Sequence, residues 1–286
     1  MSSAPIGLRE ILDAPIHFLR EHFKPLISIA VVGQGVAVVP IIVYQIVSGG
    51  QTPDLTVPSK LGGYLALTYS AVGTQWLIQI LPTLALYYAV KQIMDGREAP
   101  SIGEAYQAAT VPRHYFTYVI QGSIILIGFT VGALCCGLPG MAAAVLFCLL
   151  APVMFHEDRG WMDALNRSYQ LVWENPSGKF VGSTAFAALI AGTVYIGLST
   201  AISTLAAMPS TVWTMTEMFS GAASGAAPTA IAVPAWLVLV GAVLGVAAQS
   251  VVALYPAVAF TMLYREVIRR RDGDDLAEAI QERLDP

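Results

Sequence analysis

The stretch Ala144–Lys179, AVLFCLLAPVMFHEDRGWMDALNRSYQLVWENPSGK, begins uncharged and apolar, breaks at His156-Glu157-Asp158-Arg159-Gly160, and then takes on a helical period. Trp161, Ala164, Leu165, Ser168, Leu171 and Val172 share one helical face, with Asp163, Asn166, Arg167, Gln170 and Glu174 on the other. A helix lying on a membrane surface needs this division. The chain turns apolar again at Phe180, so the surface helix stands between two membrane spans.

Composition agrees with that placement. Of 286 residues, 56% are hydrophobic and 12% charged, and mean hydropathy is +0.64; soluble chains average about 45–50% apolar and about 25% charged. A polytopic all-α integral membrane protein is implied. The net charge of −4 is small and its acidic part gathers in the C-terminal tail, which gives no footprint for nucleic acid. Cys135, Cys136 and Cys148 lie in apolar segments, where cysteine behaves as a small hydrophobe. His17, His22, His114 and His156 are scattered at segment ends without metal-ligand spacing, and no cofactor is expected.

Apolar length predicts six spans, at about 25–47, 62–92, 115–136, 140–156, 180–207 and 234–264, each near the ~20 residues that cross a bilayer or longer. Asp13 is read as the cap of a first surface helix and Ser101-Ile102-Gly103-Glu104 as a capping box opening a second. Gly137-Leu138-Pro139-Gly140 reads as the turn between spans three and four. Pro82 and Pro256 fall inside spans as kink positions. The Gly-, Ser- and Pro-rich run 208–233 reads as an interfacial loop, and 272–286 as a short acidic cytoplasmic tail, helical or disordered. The membrane domain is thus residues 1–271.

With both termini inside, only Lys60 of the 15 Lys and Arg residues falls outside, which the positive-inside rule favours. Each pair of spans follows a short cytoplasmic amphipathic helix and a proline (Pro25, Pro112, Pro176), so the chain reads as three hairpins on one plan. DGREAPSIGEAYQAA and EDRGWMDALNRSYQL share a weak local similarity, and either duplication or the demands of a bilayer surface explains it. The spacings Gly128–Gly132, Gly178–Gly182 and Gly241–Gly245 suit close helix approach. Gln34, Gln45, Gln75, Gln79, Gln121 and Gln249 bond across helices or line a polar path.

The order Pro152, Glu157, Gly160, Ala164, Arg167, Ser168, Leu171 resembles the "P…E…G…A..RS..L" pattern of the bacterial membrane-domain family found attached to glycerophosphodiester phosphodiesterases and also alone. The resemblance implies a six-span domain of undefined role, with any hydrolase in a separate soluble domain. It also singles out Glu157 and Arg167 as candidates to hold a lipid phosphate, a partner carboxylate or the surface helix itself. The alternative for Arg167 is a structural i,i+4 pair with Asp163. Arg265, Arg269, Arg270 and Arg271, just beyond span six, suit anionic headgroups or an ordinary positive-inside anchor.

No nucleophile elbow, P-loop or HExxH run occurs, and no ionisable residue lies well inside a predicted span. A non-catalytic inner-membrane protein is therefore expected, organising membrane lipids, a protein partner or a second copy. The alternatives are a facilitator for an apolar or lipid-like solute, which a cavity at the threefold centre would favour, and the membrane subunit of a separately encoded enzyme.

Overall fold

The computed structural model describes residues 8–47, 58–132, 138–173, 183–223 and 233–284, and the elements among them are all helices. They are α1 (Leu8–Glu21), α2 (Phe23–Ala37), α3 (Val39–Val47), α4 (Pro58–Met94), α5 (Ile102–Ala109), α6 (Pro112–Gly132), α7 (Leu138–Leu146), α8 (Leu150–Glu157), α9 (Trp161–Trp173), α10 (Thr184–Ala223) and α11 (Ala235–Leu284). Five segments are long and apolar enough to cross a membrane: Phe23–Val47, Gly62–Met94, Gly140–Glu157, Thr184–Ser220 and Ala235–Arg270. The third expected span, α6, is helical over Pro112–Gly132 but is not among the five. Of the expected turn Gly137-Leu138-Pro139-Gly140, Gly137 lies outside the described residues, as do Cys135 and Cys136, and Leu138, Pro139 and Gly140 already belong to α7.

Prolines divide two of the five. Pro40 has no N–H for the carbonyl of Val36, and the first segment breaks between α2 and α3 at Val38. Pro152 likewise leaves the carbonyl of Cys148 without its helical donor, and three turn residues, Phe147–Leu149, separate α7 from α8. Side chains reach the carbonyls on the α7 side of this second break, and that of Phe147 also accepts from Leu150 N–H at 3.0 Å. Ser168 on α9 donates to the Leu146 carbonyl at 2.9 Å, and Gln121 on α6 donates through Nε2 to the Phe147 carbonyl at 2.7 Å. Irregular backbone at membrane depth is tolerated where protein groups satisfy it in this way.

Three readings of the sequence are corrected. The expected loop at 208–233 is helix as far as Ala223, because its hydroxyls turn inward. Ser210 and Thr211 bond the Ala207 carbonyl, Thr214 bonds that of Ser210, and Thr216 that of Val212, so the polar groups cost little inside a helix. Asp13 does not open α1, which already runs from Leu8, and Pro15 sits inside it. Gly241 and Gly245 do not mediate close packing, since a Cβ at either would meet nothing within 4 Å. Gly178 and Gly182 lie outside the described residues. The close approaches occur instead at Gly33, where a Cβ would overlap Tyr106 Oη and Pro82, and at Gly122, where it would overlap Trp76. The expected acidic tail continues α11 as helix to Leu284.

The helices pack in a cyclic pattern. α5 lies on α4 and α2, α9 on α8 and α6 and also on α10 and α7, and α1 on α11 and α10, while α4, α8 and α11 pack on one another. Their shared centre is filled by Leu84, Ala85, Ala151, Phe155, Leu254 and Val258, all buried. Gly96 (φ 75°) and Asp158 (φ 48°) are the positive-φ residues among those described, and each turns the chain from a long helical segment toward a short helix, α5 or α9. Laid side by side from Asp95 and Glu157, the two similar strings place Gly96 opposite Asp158 and Tyr106 opposite Ser168. Tyr106 donates to the Ile29 carbonyl at 2.8 Å, as Ser168 does to Leu146, so α5 and α9 are both fastened by a hydroxyl to backbone of earlier helices.

Candidate functional site

Helix C-termini expose carbonyls that favour cations, and the ends of α4 and α8 meet three cations at the basic face of the domain. Lys91 of α4 donates to the Phe155 carbonyl of α8 at 2.6 Å. Arg265 of α11 donates to the Met94 carbonyl of α4 at 2.6 Å and stands 3.6 Å from Asp95. Arg113 of α6 donates to Asp158 through both the side chain, at 3.1 Å, and the carbonyl, at 2.5 Å. Each cation caps a helix other than its own, so these contacts tie α4, α6, α8 and α11 together at one end.

Glu157 ends α8 inside this network. Its carboxylate accepts from Arg167 Nε at 3.3 Å and from the Tyr264 hydroxyl at 3.0 Å, and also pairs with Arg159. The side chains of Glu157 and Arg167 are 16% and 24% exposed, so both charges are largely withdrawn from water. The sequence paired Arg167 with Asp163 as an alternative; the structure pairs it with Glu157 of the preceding span, and the arginine points inward rather than lying on the solvent face. On the apolar face of α9, Ala164, Leu165, Ser168, Leu171 and Val172 are buried as expected, whereas Trp161 is 45% exposed.

The remaining expected residues divide. Arg269 and Arg270 both pair with Glu266, at 2.5 and 2.7 Å, and Arg269 is 77% exposed while Arg270 is half-buried. The side chain of Arg271 is outside the described residues. Beside α1 an open cleft of about 1010 Å³ is lined by Arg265 and Arg269, by Asp95, Glu266 and His156, and by Phe18, Met94, Met262 and Ile268. His156 Nδ1 lies 2.9 Å from the Pro152 carbonyl, the geometry of an N–H donor, and its Nε2 is buried without a partner.

The sequence reading missed Tyr264, Lys91 and Arg113. Their signal was present, since each lies within a turn of a span end where a foreign helix terminus could meet it, but the neighbour was not readable. The capping box of α5 closes as anticipated: Ser101 N–H donates to Glu104 at 2.8 Å and Glu104 N–H to the Ser101 hydroxyl at 3.3 Å. Those bonds hold the Glu104 carboxyl below its usual range, and burial of the Tyr106 phenol raises it to about 12. No family model matches this chain, and neither a curated protein nor a solved structure matches it.

Proposed function

We propose that this is a non-catalytic bacterial inner-membrane protein that organises anionic lipid at its basic end. In this reading α6 is a sixth span, the spans form three hairpins, and both termini are cytoplasmic. The cleft beside α1 carries the proposal: Arg265 and Arg269, paired with Asp95 and Glu266, share its lining with Phe18, Met94, Met262 and Ile268, so guanidinium groups for a phosphate headgroup stand in one cleft with apolar surface for an acyl chain. The Arg269–Glu266 pair is exposed and worth little, so a phosphate can displace it at small cost. The filled centre between α4, α8 and α11 supports an organising role over passage along the pseudo-threefold axis.

The cyclic packing, with Gly96 and Asp158 in matching places, supports three related units. Arg167 and Ser168 of α9 bond Glu157 at the end of α8 and the Leu146 carbonyl at the end of α7, which supports the family resemblance as a structural motif rather than a catalytic one. The test is lipid analysis of protein purified in mild detergent. Arg265→Gln/Arg269→Gln should lose co-purifying anionic lipid while zwitterionic lipid and monodispersity are retained. Unchanged anionic lipid in a folded double variant overturns the proposal.

A further inference from the structure

A second cavity lies inside the membrane-spanning part, between α2–α3, α4, α10 and α11, with a volume of about 580 Å³. Its polar lining comes from Gln34, Gln45, Gln75, Gln249, Thr211 and Thr214. Gln34 and Gln249 fall near the middle of their spans, while Gln45 lies about three turns further along, at the end opposite Lys24 and Arg265. The cavity therefore runs from mid-membrane toward the end away from the arginine cleft. Gln249 is anchored, donating from Nε2 to the Ser203 hydroxyl at 2.8 Å. Gln34 is only 5% exposed, yet its Nε2 has no hydrogen-bond partner.

A buried amide N–H₂ left unpaired costs enough that it calls for an acceptor. The wall opposite is cut back: Gly241 and Gly245 border the cavity, and nothing lies within 4 Å of where their Cβ atoms would be. Two glycines in a helix interior are unfavourable, and here they serve no helix contact, so what they provide is volume. α3 and α10 both line the cavity and pack on α11, but barely touch each other, which leaves the wall open sideways.

We propose that this cavity binds the head of an uncharged amphiphile carrying hydroxyl or amide groups, with its tail leaving between α3 and α10. The carboxamides and hydroxyls offer donors and acceptors together, which matches hydroxyl and amide heads. No Lys, Arg, Asp or Glu is among the lining residues, so an ionised head would lose its hydration without a counter-charge. A plain hydrocarbon would leave the Gln34 amide unpaired. The site is separate from the arginine cleft and its occupancy does not depend on the anionic-lipid reading.

The probe is oleamide with a photoreactive diazirine in its tail, applied to the full chain in phosphatidylcholine vesicles, with cross-links mapped by peptide mass spectrometry. Labelling should concentrate on 38–45 and 210–214, the α3 and α10 walls between which the tail leaves, and be competed by excess oleamide, but not by oleate or octadecane. Gly245→Leu, which fills the space, and Gln34→Leu, which removes the unpaired donor, should each reduce labelling by about tenfold or more at unchanged thermal stability. Arg265→Gln/Arg269→Gln should leave it unchanged, so failure here is distinct from failure of the lipid proposal. Equal competition by octadecane in the wild-type protein overturns the inference, as does labelling that persists in folded Gly245→Leu.

Discussion

Ser168→Ala tests whether the break at Pro152 is held by the surface helix. Ser168 is 0% exposed and its hydroxyl is 2.9 Å from the Leu146 carbonyl, so no water replaces the lost donor. A neutral hydrogen bond contributes ~1 kcal/mol net, an orphaned buried carbonyl costs ~1–3, and cross-helix bonds in membranes average ~0.6. The expected loss is therefore about 1–1.5 kcal/mol. Gln121→Leu should cost less, about 0–1 kcal/mol, because Gln121 Oε1 is already buried without a partner and its removal offsets part of the lost bond to Phe147. In a Pro152→Ala background the chain regains an N–H for the Cys148 carbonyl, α7 can run into α8, and Leu146 can recover a helical donor. Ser168→Ala should then cost about 1 kcal/mol less than in the wild type. Unfolding by SDS titration from mixed micelles measures all five proteins. A Ser168→Ala cost within about 0.3 kcal/mol of zero, or the same cost in both backgrounds, refutes the reasoning.

Gly33→Ala should destabilise by about 1–3 kcal/mol through overlap with Tyr106 and Pro82, whereas Gly241→Ala should be neutral or stabilising by up to about 1 kcal/mol, both read in the same titration. Leu165→Asp, at a position 7% exposed within the α9 core, should cost about 3–5 kcal/mol, and Arg167→Ala only about 1–2, because Glu157 keeps Tyr264 and Arg159; detergent melting temperatures should follow that order. With native cysteines removed, Ser220→Cys should react with an impermeant thiol reagent in intact cells, and labelling only after lysis would reverse the proposed orientation. Glu104 has a lowered folded-state pKa, so its contribution to α5 is present above its ordinary value of 4.5 and is lost as pH falls through the lower folded value. Amide exchange in α5 should accelerate across that window, and Ser101→Ala should remove the pH dependence.

The sequence by itself placed the helices and their ends wherever the signal was local. Uncharged length marks a span, Ser101 and Glu104 are three residues apart and can close a capping box unaided, and the buried face of α9 follows from helical period. It misread 208–223 because Ser, Thr, Gly and Pro describe a loop in water, while in an apolar setting the same hydroxyls bond back to the helix. Tertiary structure alone decided who meets whom. Glu157 and Arg167 are both legible as site residues, but the choice of Glu157 over Asp163 depends on how α9 folds back on α8, and Tyr264 arrives from 107 residues away. The same holds for the glutamines: Gln121 and Gln34 look alike in sequence, yet one bonds the Phe147 carbonyl in the turn between α7 and α8 and the other lines an empty volume bordered by Gly241 and Gly245. In an apolar medium every helix surface is equally soluble, so hydrophobic pattern cannot select neighbours; shape and unpaired polar groups do, and both exist only once the helices are assembled.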